Sequence, residues 1–111
     1  FDTGHMHIAS QRDGFDLYDF ARRLAPNIGS VHVWNNRSID DYFSFGHIPV
    51  HPVQKPEDGW VDIGRILRVI VPNNPGCRVI LESGSRYPES LGVHDFRDGV
   101  QWVKDLTAPL F

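Results

Sequence analysis

The sequence predicts an α/β fold built from three consecutive βα units with parallel strands. Three observations predict it. Short runs rich in Val, Ile and aromatic residues occur three times along the chain. Each is followed by a polar stretch and then by apolar residues at helical spacing, the alternation that implies parallel strands with helical crossovers. The composition is globular: 111 residues, 41% hydrophobic and 12% aromatic, suit one domain or part of one.

The strand-like runs are Met6 to Ala9 with its lead-in FDTGH, Ser30 to Trp34 (SVHVW), and Arg78 to Leu81 (RVIL), which ends at Glu82. The first helix reads DLYDFARRLA. Asp13 or Asp16 can cap it, Phe15, Tyr18 and Ala21 form its apolar side, and Pro26 and Gly29 close it. The second reads DIGRILRVIV, with Asp62 as N-cap and Ile63, Ile66, Leu67 and Ile70 as the buried face. The turn cluster Asn73-Asn74-Pro75-Gly76 ends it. The third spans about Asp95 to Leu106, with Phe96, Val100, Val103 and Leu106 as its apolar stripe and His94 at its start as a cap or exposed residue.

Residues 35–60 break the rhythm. They show no helical period and contain three Pro, two His and several aromatic residues. A loop of this length in a compact domain is usually functional, so the segment is a candidate lid.

Charge and cysteine content narrow the function classes. Eleven Lys and Arg against fourteen Asp and Glu leave a net charge of −3, which offers no general attraction to nucleic acid or anionic lipid. The lone Cys77 excludes an internal disulfide and a cysteine-based zinc cluster, and it suits a reducing, cytoplasmic setting. No apolar run approaches the ~20 residues that span a bilayer, and the first ten residues lack a signal-peptide layout. The opening Phe1-Asp2, running directly into a strand-like stretch, is what a piece of a longer protein would show.

In parallel α/β folds, sites collect at the carboxyl ends of strands. Asp2 and His5 in DTGH, His32 in VHV and Glu82 in VILES stand at such places. An Asp, a His and a Glu converging from neighbouring strands form a ligand set for manganese, zinc or cobalt, and carboxylates with water also suit magnesium. Each residue has a plainer reading. Asp2 can be a solvated terminal residue, His32 a satisfied core histidine, and Glu82 half of a structural ion pair. Arg37 can bind a sugar hydroxyl or phosphate, or simply face water. Trp34, Phe43, Phe45 and Trp60 can wall a substrate pocket or pack the lid. His47 and His51 in GHIPVHP fit either a site or a surface turn.

The order DTGH, SVHVWNNR, DGWVDIGRIL and VILESG resembles the C-terminal part of the xylose isomerase-like superfamily of TIM barrels, which includes sugar phosphate isomerases and epimerases, inosose dehydratases and AP endonuclease relatives. The resemblance implies that the chain is the last three units of a (β/α)8 barrel. A whole barrel needs roughly 250 residues. It implies metal ligands at Asp2, His32 and Glu82, proton transfer by Glu82, and substrate contacts from His5, Arg37 and Trp34. The implied cofactor is a divalent metal (Mn, Mg, Co or Zn). The implied substrate is a sugar or sugar phosphate, whose enediolate such a metal stabilises. The implied partner is the missing N-terminal barrel part or another copy of the chain. The nuclease branch carries a D-x-H pair after its seventh strand, which Asp40-Asp41 with His47 or His51 does not match. The expectation is therefore a sugar isomerase or epimerase. An inosose-type dehydratase or a non-catalytic partial-barrel module is the alternative, and the 111-residue chain alone is expected to be inactive.

Overall fold

A computed structural model describes residues 1–88 and 96–111. The helices are α1 (Thr3–Asp13), α2 (Leu17–Leu24), α3 (Ile39–Phe45), α4 (Ile63–Asn73) and α5 (Phe96–Thr107); the strands are β1 (Ser30–Val33) and β2 (Arg78–Leu81). The strands pair in parallel, with Ser30 opposite Arg78 and Val33 opposite Leu81. The expectation of three βα units of a barrel is therefore corrected. Among the described residues there are five α-helices and one two-stranded parallel sheet.

The first unit departs most plainly. Residues 6–9 lie in α1 and not in a strand. Asp2 is extended and caps the helix, its carboxylate accepting from the His5 backbone N–H at 2.8 Å. Gly14 ends it in the left-handed region at φ 73°. The face that α1 buries consists of Thr3, Gly4 and Ser10. Small polar residues there let the helix approach closely, so no apolar stripe marks it in the sequence.

What remains of the expected first strand is Phe1 and Asp2. The Phe1 backbone N donates to Ser30 O, and His32 N donates to Phe1 O, both at 2.8 Å. Asp2 thereby forms a parallel bridge with His32.

The other elements follow their patterns. Asp16 caps α2, accepting from Tyr18 and Asp19 N–H. Asp62 caps α4, and Ile63, Ile66, Leu67 and Ile70 are buried as their spacing predicts. Tyr18 ties the two helices together: its hydroxyl accepts from Asp62 N at 2.9 Å, and the Arg65 guanidinium lies over its ring. Val31 and Val33, both fully buried, present one face of β1 to this core, and Val103 of α5 joins it. Residue 94 and the expected helix start at residue 95 lie outside the described residues.

Residues 35–60 are not without structure. They contain α3, a 3-10 turn at Pro56–Asp58, and an antiparallel bridge between Asn35 and Ile48. Two buried amides hold the segment down. Asn35 accepts from Val61 N at 2.9 Å and donates to Val61 O and Gln54 Oε1, while Gln54 donates to Pro49 O at 2.9 Å. Buried amides of this kind are stable only when so partnered.

Candidate metal centre

Strand geometry decides which side chains meet. Successive residues of a strand point to opposite faces. Val31 and Val33 point into the core, so His32 points to the other face. Asp2 bridges His32 on one side, and Ile80 pairs with it on the other. Glu82 lies two residues beyond Ile80, its N–H bonded to Val33 O at 3.1 Å, and so returns to the face of His32. Asp2, His32 and Glu82 offer ligand atoms that all lie within 4.8 Å of one another.

This donor set fits a divalent cation. Two carboxylates and an imidazole are hard and borderline donors of the kind that manganese, cobalt and zinc accept. His32 Nδ1 and Glu82 Oε2 stand 3.0 Å apart. Adjacent donors on an octahedral cation with bonds of ~2.1 Å are separated by about the same distance. Carboxylates held so close repel unless a positive charge or a proton lies among them. The His32 and Glu82 side chains are 40% and 41% exposed, open to solvent and to a ligand. The hydrogen bond from His32 outweighs desolvation and holds the Glu82 carboxyl below the usual carboxylate range, with His47 and Asp2 contributing less.

The expected substrate residues occupy different settings. His5, in the first turn of α1, is exposed and packs edge-on against Trp34, Tyr42 and His47, with centroids 5.0 to 5.5 Å away. Trp34 is fully buried, so it meets the site through its indole N–H, which donates to Asp2 Oδ1 at 2.7 Å, and not as an open wall. Arg37 gives Nε and Nη2 to the two oxygens of Asp41, each at 2.8 Å, and stands over the Trp60 ring. Trp60 is buried beneath it, whereas Phe43 is 74% exposed. His51 lies 3.6 Å from Asp98, away from the cluster. Cys77 is buried and its thiol pKa is pushed up by desolvation, the opposite of an activated nucleophile.

Two further residues neighbour the site: His47, which the sequence left open between a site and a surface turn, and Tyr42, which escaped it. His47 stacks on Trp34 at 4.2 Å with the rings 14° apart, and its carbonyl accepts from Gly84 N at 2.7 Å. Tyr42 of α3 packs against His5 and Trp34. Tyr42 had no local signal, because α3 carries no apolar period. Beyond Glu82, a cavity of about 420 Å³ is lined by Pro49, Ser83, Gly84, Ser85, Tyr87 and Phe96.

None of the protein-family models, curated proteins or solved structures compared with the chain matches it. Among the described residues no helix is long and apolar enough to cross a membrane.

Proposed function

We propose that the chain carries the cation-binding part of a metal-dependent sugar or sugar phosphate isomerase or epimerase. The observation that supports this reading is the convergence of Asp2, His32 and Glu82 on one face of the sheet. The resemblance of DTGH, VHV and VILE to xylose isomerase-like enzymes supplies the reaction class. Asp2, His32 and Glu82 would hold a divalent cation, which would supply Lewis-acid chemistry toward a sugar's carbonyl and neighbouring hydroxyl oxygens. Glu82 is the group that would accept the proton from the carbon beside that carbonyl and return it. Its Oε2 stands 3.0 Å from His32 Nδ1. In this reading His5, which is exposed, would hydrogen-bond a substrate hydroxyl.

The proposed setting is cytoplasmic, which suits the single buried thiol of Cys77. Calorimetric titration with MnCl2, CoCl2 and ZnCl2 tests the reading on the chain itself. Wild type is expected to bind one cation, and Glu82→Gln to bind it at least about tenfold more weakly with its circular dichroism unchanged. Equal binding by both, or binding by neither, would sink the assignment. Ketose and aldose phosphates incubated in D2O with the Mn2+-loaded protein should gain deuterium beside the carbonyl. Loss of water from the sugar in place of exchange would point to a dehydratase.

A further inference from the structure

We infer that Trp34 is the positioning residue of this cation site, holding the Asp2 carboxylate in its ligand orientation through the indole N–H. The inference rests on the cation-site reading above. Asp2 Oδ1 receives two donors, Trp34 Nε1 at 2.7 Å and His5 N at 2.8 Å. Two donors occupy the lone pairs of one carboxylate oxygen, so Oδ2 is the atom left to meet a cation. The carboxylate cannot rotate about its last torsion without breaking a charge-assisted bond on each side.

The indole is itself immobilised. Trp34 is fully buried. Its backbone is gripped from α1, where the Thr3 hydroxyl donates to Trp34 O at 2.6 Å and accepts from Trp34 N at 3.1 Å. Gly4 lies directly against the ring, with no space for a Cβ between them. His47 covers a ring face at 4.2 Å, and His5 meets the ring edge-on at 5.0 Å. A donor fixed on every side by packing is what precise ligand placement requires. A buried indole N–H also needs an acceptor for its own sake. A purely structural bond would therefore look the same in the fold, and only the cation can separate the two roles.

The test removes the N–H and keeps the shape. Site-specific replacement of Trp34 by β-(3-benzothienyl)alanine puts sulfur where the N–H stands, and Trp34→Phe provides a genetically simpler second variant. Cation affinity is read by calorimetry, ligand geometry by the visible absorption of the Co2+ form, and fold stability by melting without metal. Loss of the N–H should weaken Co2+ and Mn2+ binding by ~10–100-fold and change the cobalt bands. Cation affinity within about twofold of wild type and an unchanged cobalt spectrum would overturn the positioning role, even if melting shifts. Absence of binding by wild type would instead bring down the site reading, and the inference with it.

Discussion

At Gly4 the backbone of α1 runs against the Trp34 ring so closely that an added methyl would overlap the six-membered portion of the indole. The ring cannot yield, because His47 backs it and Thr3 holds its backbone. Gly4→Ala should therefore cost about 1–3 kcal/mol or more, read as a lower urea midpoint. A second residue, His7, gives the fold a pH dependence. Burial holds its pKa below the ordinary value, partly offset by hydrogen bonds to the Gly59 and Arg37 backbones. The Gly59 carbonyl only accepts, so His7 Nε2 carries the hydrogen of the 3.0 Å bond. A depressed histidine pKa means that the unfolded chain binds the proton first. Its contribution to stability is thus present above about pH 6.5 and is lost as pH falls through the folded value. Denaturant midpoints measured from pH 7.5 to 5 should fall for wild type and fall less for His7→Gln.

Among elements, α4 and α1 make an instructive pair. In α4 the cap at Asp62 and the buried series Ile63, Ile66, Leu67, Ile70 are both written locally, and the helix forms where its period predicts. Its burial is a main source of stability, at about 1.5–3 kcal/mol per large aliphatic side chain. Leu67→Ala should cost about 2–5 kcal/mol, a loss that calorimetric melting would register. In α1, Met6, Ile8 and Ala9 read as a strand because their apolar run is short and lacks helical spacing. The signals that govern the segment were its ends, Asp2 as N-cap and Gly14 as the left-handed stop. The same oversight hid α3, whose buried member is Asp41, an acidic residue bonded to Arg37 and no part of an apolar stripe. Elements stabilised by capping and polar anchoring are poorly visible to hydrophobic periodicity; those that bury an apolar face are plain.

For the molecule as a whole, the candidate site joins three segments far apart in sequence: residue 2, residue 32 and residue 82. A ligand that bridges all three binds only the folded chain and stabilises it by mass action, about 2.7 kcal/mol at a hundredfold excess over Kd. Mn2+ should accordingly raise the melting temperature of wild type in a concentration-dependent way and leave Glu82→Gln nearly unmoved. An equal rise in both would show binding elsewhere. By itself the sequence determined α2, α4, α5 and both strands, because caps and apolar spacing act between residues a few positions apart. It also marked Asp2, His32 and Glu82 as chemistry-bearing. That these three share a face was decided only by the tertiary structure, through the bridge of Asp2 to His32 and the parallel register of β1 with β2. So was the replacement of a third strand by α1. Both depend on which backbone groups find one another across the fold, between residues 2, 32 and 82 that lie far apart in the chain.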